Sequence, residues 1–172
     1  WLLLKKSYNK IMKKFLTLFL AILIPVFANA EVLTAGVSID EVPKALFGSW
    51  RINAVLDSSN SYGTFKPQSI DFWDMSRIGD SITLDNPFTG AKSTISLKNV
   101  EGNVIVFSKK SKYGENKLLT DTVTIRLDGN NFSGINSLSL ESYSLIDNHL
   151  MKTETATYKI TGEKIAGESV LK

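Results

Sequence analysis

The chain has 172 residues, no Cys and a single His, so disulfide bracing, thiolate metal sites and thiol catalysis are excluded at the outset. Its formal charge is +3, but five of its twenty Lys and Arg residues, and none of its seventeen Asp and Glu residues, fall in residues 1–30. The remainder carries fifteen basic against seventeen acidic side chains, a net of −2, which leaves no charge argument for nucleic-acid binding.

Met12-Lys13-Lys14 forms a basic flank, residues 15–27 are an apolar run broken only by Thr17 and Pro25, and Ala28-Asn29-Ala30 ends it with small residues. These are the three parts of a secretory signal peptide. Translation is expected to begin at Met12, with residues 1–11 an extension, and cleavage is expected after Ala30. The run is shorter than the roughly 20 residues of a transmembrane helix, so no stable membrane span is expected after cleavage. The expected localisation is periplasmic or extracellular, with residues 31–172 forming one β-barrel domain. A chain of that length buries roughly two-thirds of its unfolded surface, which is enough to hold it by its core alone.

Residues 31–40 are weakly patterned. Residues 40–47 read as one short helical turn, because Asp40 is placed to cap free amides and Pro43 is tolerated near a helix start. Gly48 ends the turn and opens the first strand, which runs through Trp50 to Val55. From there the apolar period stays close to two, and no segment sustains the spacing of a long amphipathic helix. Residues 57–68, with Ser58-Ser59-Asn60-Ser61, Gly63 and Pro67, predict a long polar loop carrying Tyr62 and Phe65. Strands are predicted over residues 70–75, 81–84, 93–97, 104–108, 118–127, 131–135, 138–143 and 152–161, with a last one at 164–171. Asn86-Pro87-Phe88-Thr89-Gly90 reads as a tight turn between two of them.

Four stretches, Gly79-Asp80-Ser81-Ile82, Gly102-Asn103-Val104-Ile105, Gly129-Asn130-Asn131-Phe132 and Gly162-Glu163-Lys164-Ile165, place Gly and polar residues just before an apolar one. Each reads as a hairpin turn needing positive φ. Consecutive hairpins give an antiparallel up-and-down meander of about eight or nine strands, and closing it into a barrel removes both raw edges. A two-sheet β-sandwich is the alternative.

Alternation assigns an inner face to Trp50, Ile52 and Ala54, to Ile82 and Leu84, to Ile95 and Leu97, to Ile105 and Phe107, and to Val123, Ile125 and Leu127. It does the same for Leu138 and Leu140 and for Tyr158 and Ile160. Residues 70–75 are ambiguous, because Ile70 and Phe72 share a face with Asp74 while Trp73 and Met75 share one with Asp71. A barrel of eight strands is just wide enough either to be filled by its side chains or to hold one small ligand, and on sequence both are open.

Gly48-Ser49-Trp50, preceded by the turn at residues 42–47 and followed by a β meander, resembles the opening of the lipocalin-like, or calycin, barrels. The resemblance implies that Trp50 closes the bottom of the barrel. It also implies a late basic side chain stacked on that ring, for which Arg126, Lys159 or Lys172 are the candidates. The family's second motif has no full counterpart, since Thr120-Asp121-Thr122 lacks its aromatic residue.

Other chemistry-bearing residues read blandly. His149, in Asp147-Asn148-His149, is a solvated turn residue with no nucleophile pattern beside it. Asp71 and Asp74 lie three apart on a strand and so face opposite ways, which excludes a facing acid pair. Trp73 reads as packed before it reads as a sugar platform. Lys109-Lys110-Ser111-Lys112 reads as a solvated basic hairpin loop. Asn131-Phe132-Ser133 spells a glycosylation acceptor, to which a bacterial-looking export signal gives no weight. No phosphate-cradling loop, metal-ligand cluster or nucleophile elbow is present.

The resulting expectation is an exported, monomeric, non-catalytic barrel without cofactor or metal. It would hold a small apolar or amphipathic ligand on its inner face at Trp50, Ile52, Phe72, Ile105, Phe107, Ile125, Leu140 and Tyr158. The alternative is a module binding cell-envelope polysaccharide or a protein through residues 57–68 and surface aromatics.

Overall fold

The structure, a computed structural model, describes residues 37–167. The export signal assigned to residues 1–30, and Lys172, lie outside the described residues. Eight antiparallel strands follow one another round a closed barrel: β1 (Gly48–Ser59), β2 (Gln68–Ile78), β3 (Ser81–Asp85), β4 (Lys92–Glu101), β5 (Val104–Lys112), β6 (Lys117–Asp128), β7 (Asn131–Tyr143) and β8 (Leu150–Ala166). Each pairs with its neighbours in sequence, and β1 closes on β8 from Ser49↔Ala166 to Ser59↔Ala156. The meander forms as its alternation dictates, and closure leaves no strand edge unpaired.

The turns at one end are tight. Gly79, Gly102 and Gly129 adopt φ of 58°, 59° and 57°, which is the geometry hairpins of two loop residues require. The connections at the other end, residues 60–67, 86–91, 113–116 and 144–149, are longer. The barrel therefore has a closed end and an open end.

Two sequence expectations are corrected here. Residues 131–135 and 138–143 are one strand, continuous through Asn136, which pairs with Val123 and with Tyr158; the polar side chain interrupts the apolar alternation without interrupting the ladder. Likewise Gly162 is not a turn. It lies inside β8, paired with Ile52 and Phe132, and a Cβ there would stand 2.2 Å from the Phe132 ring. The missing side chain makes room for an aromatic one.

The helical turn before β1 is two 3-10 turns, Ile39–Glu41 and Lys44–Leu46. Ser38, not Asp40, caps the first, its hydroxyl accepting from the Asp40 amide at 3.3 Å. The Asp40 carboxylate pairs with Arg77 at 2.7 Å. These turns plug the closed end with Ile39, Val42 and Leu46, all buried.

Above them sits an aromatic floor. Trp50 is fully buried, its Nε1 donates to the Leu46 carbonyl at 2.8 Å, and its ring lies 5.1 Å from that of Phe132. Trp73 stacks on Phe132 at 6.0 Å and meets Phe107 edge-on at 6.2 Å. The glycine two residues before Trp50 is required twice over: Gly48 has φ of 118°, and a Cβ would meet the Ala166 carbonyl at 2.4 Å. The basic partner of the indole is Lys164, whose Nζ stands 5.2 Å from the ring centroid. Arg126 instead reaches toward Asn103 and Lys159 pairs with Asp57 at 2.6 Å.

Candidate functional site

The inner face divides into two halves. In the lower half Trp50, Ile52, Trp73, Met75, Ile82, Ile105, Phe107, Val123, Ile125 and Ile160 are buried against one another, so the barrel is filled there. In the upper half the same strands present smaller or polar side chains, and a cavity of about 290 Å³ opens among Ala54, Ser69, Asp71, Asp121, Asn136 and Tyr158. A second space of about 160 Å³ lies beside it between Leu119, Leu138, Leu140 and Tyr113. Phe65 and Thr64 line both.

Phe65 is buried although it belongs to the long polar loop, and the loop is tied down at several points. The Leu56 amide donates to the Pro67 carbonyl at 2.8 Å, and the Tyr158 hydroxyl donates to the Lys66 carbonyl at 2.8 Å. Ser61 Oγ and Thr64 Oγ1 both donate to Glu154 Oε1, the latter at 2.7 Å. Lys152 lies 2.9 Å from the same oxygen. The Ser61 hydroxyl, then Lys152 and Thr64, hold the Glu154 carboxyl down at about 2. The arrangement fixes Phe65 as a roof.

The polar wall has an uneven balance of donors and acceptors. Asp71 is fully engaged: Oδ2 accepts from Trp73 Nε1 at 3.0 Å, and Oδ1 accepts from the Phe72 amide at 2.9 Å and from Asn86 Nδ2. Asp121 is not. Its Oδ2 faces Lys109 Nζ at 3.4 Å, while Oδ1 is buried without a hydrogen-bond partner, as is Asn136 Oδ1. Burial, with a smaller push from the Asp71 charge, raises the Asp121 carboxyl above its ordinary value, against the opposing pull of Lys109 and of the neighbouring Asn136 amide. Buried acceptors are normally paired, so two orphaned oxygens in one cavity wall mark it out.

Of the residues expected to line a ligand site, Tyr158 borders the larger cavity and Leu140 the smaller. Trp50, Ile52, Ile105, Phe107 and Ile125 are buried on the inner face, in the filled half. Phe72 is a correction. Arg51 is its cross-strand partner, just as Trp50 is that of Trp73, so it points outward, where its ring meets that of Phe88 at 4.4 Å. Lys109 is a second correction: it lies within β5 opposite Asp121 and is not part of a solvated loop.

Asp121 and Asn136 were legible as breaks. Leu119, Asp121, Val123, Ile125 and Leu127 are one period-two row on β6 with an acid in it, and Phe132, Asn136, Leu138 and Leu140 are the facing row on β7. The Asp71 and Asp74 carboxylates do face opposite ways, Asp74 accepting from Ser49 Oγ at 3.2 Å outside. His149 is an exposed turn residue bonded to Asp147 at 2.6 Å.

Two larger concavities, about 430 and 410 Å³, lie outside the barrel. One runs along the outer wall over the Arg51–Glu163 ion pair, and the other lies beneath the closed end between Lys44 and Arg77. Neither gathers buried polar groups. Among the described residues there is no cluster of metal-ligating side chains and no helix long and apolar enough to cross a membrane. Neither a family model, nor a curated protein, nor a solved structure matches the chain.

Proposed function

We propose that this protein is an exported, lipocalin-like carrier that holds one small amphipathic molecule, without chemistry, in the upper half of its barrel. The observation that supports it best is the cavity of about 290 Å³ bordered by Phe65, with a further 160 Å³ beside it, in a barrel whose lower half is filled. Pockets for small molecules combine apolar walls with a few placed polar groups, as Leu119, Leu138 and Phe65 do here with Asp121 and Asn136. The volume is small for such sites, so the ligand is small. The Gly48-Ser49-Trp50 opening with Lys164 on the indole supports the lipocalin-like reading of the scaffold.

The test is native mass spectrometry of protein purified from its own host, combined with titration of the neutral dye N-phenyl-1-naphthylamine. A copurifying small molecule, or saturable fluorescence lost in Leu138→Trp, is expected. Absence of both overturns the reading.

A second reading, binding of envelope polysaccharide at the open rim, is favoured by one observation: each longer connection carries an exposed apolar residue, Tyr62, Phe88, Tyr113 and the pair Leu145 and Ile146. A glycan array positive for the native protein and silent for Tyr62→Ser combined with Ile146→Ser would favour it over the first.

A further inference from the structure

We infer that the molecule held in the upper cavity presents a cationic hydrogen-bond donor, a primary ammonium group, to Asp121 Oδ1 and Asn136 Oδ1. The inference rests on the ligand-binding reading of that cavity and adds the chemistry of the head group.

Three observations carry it. First, Asp121 is 6% exposed and lines the cavity with one carboxylate oxygen unpartnered, alongside the unpartnered amide oxygen of Asn136. A buried acceptor left without a hydrogen bond is costly unless a donor arrives to meet it. Second, both orphans are acceptors. A carboxylate or phosphate ligand would set its own oxygens against them, whereas an ammonium offers three donors and no acceptor. Third, two acids, Asp71 and Asp121, line the cavity; Lys109 stands 3.4 Å from Asp121 Oδ2, and Lys66, which also lines the cavity, is exposed. The donors on Asp71, from Phe72, Trp73 and Asn86, are neutral and leave its charge in place. A cationic head completes the hydrogen bonding and meets the two acids of the wall. Leu119, Leu138 and Phe65 then accept a short apolar tail.

The experiment is calorimetric titration of the native protein with three probes of one chain length: n-hexylamine, n-hexanol and sodium hexanoate. Charge-assisted hydrogen bonds to a buried carboxylate set the expected preference for the amine over the alcohol at about ten-fold or more, with the carboxylate weakest. In Asp121→Asn the amine's preference over the alcohol is expected to collapse. Circular dichroism checks that this variant folds, and Asn136→Leu serves as a second, independent removal of an acceptor. Equal binding of amine and alcohol, stronger binding of hexanoate, or a preference that survives in Asp121→Asn overturns the inference while leaving the cavity reading standing. Failure of all three probes together with N-phenyl-1-naphthylamine overturns both.

Discussion

Lys164 Nζ donates to the Ala45 carbonyl at 2.8 Å while standing over the Trp50 ring. One side chain on the last strand thereby clamps the turn before the first strand and covers the indole that forms the floor. The contact joins both ends of the barrel wall, so it reads out closure.

Trp50→Ala removes a fully buried indole and its hydrogen bond to Leu46. The expected cost is about 3–5 kcal/mol, measured by urea denaturation. Lys164→Met keeps the aliphatic cover but loses the cation and the donor, and should cost less. A loss below about 1 kcal/mol for Trp50→Ala would place the structural centre elsewhere.

Glu154 anchors the roof. Its carboxyl is held down at about 2 against an ordinary 4.5, so the charged form is favoured by folding. That contribution is complete above pH 4.5, declines as pH falls through the interval, and is gone below about 2. Hydrogen exchange should show the Thr64 and Phe65 amides, which donate to the Ser61 carbonyl, protected at neutral pH and opening as pH approaches 2. Glu154→Gln should open them at neutral pH. Unchanged exchange in that variant would show that Tyr158 and Leu56 hold the loop unaided.

Asp121 behaves in the opposite sense. Burial raises its carboxyl above the ordinary 3.8, so the native state binds the proton more tightly than the unfolded chain. Stability falls as pH rises from 3.8 through the folded value. Relative to Asp121→Asn, the native protein is expected to lose ground over that window and run parallel to it above. The slope is the test, since removing the partner of Lys109 shifts the whole curve of the variant. A difference that grows in the native protein's favour with rising pH contradicts the assignment.

Gly162→Ala sets a Cβ against the Phe132 ring. The ring is wedged between Trp50 and Trp73, so it has little room to move. Overpacking of this kind costs about 1–3 kcal/mol, and pairing the change with Phe132→Leu should recover much of it. Thermal denaturation of the two single variants and the double variant decides whether the sites are coupled.

The scaffold was largely legible because its apolar residues alternate almost without a break, and three of the four Gly turns stand where the spacing put them. The fourth failed at Gly162. A glycine chosen to clear an aromatic ring reads, in sequence, like one chosen for a turn. That error also hid Lys164, since Tyr158, Ile160, Gly162 and Lys164 share one face only if the strand runs on. Phe72 was misplaced because β2 is apolar on both faces near its middle, and only its register with β1 separates Trp73 from it. The cavity shows in the sequence only as breaks in the apolar rows. Apolar alternation alone does not carry through Lys109, Asp121 and Asn136, which continue the same rows in polar form at the place where the inner face turns hollow.

The seam between β1 and β8 joins segments about a hundred positions apart, Ser49 with Ala166 and Ser59 with Ala156. A chain emerging from its amino end therefore carries an unfinished sheet until Leu150–Ala166 appears. During that interval the amide and carbonyl groups along Gly48–Ser59 are open to any passing strand. Contacts this distant form slowly, which makes premature encounter between two half-made copies the characteristic hazard of this molecule, and supply of the missing segment as a separate peptide the natural way to relieve it.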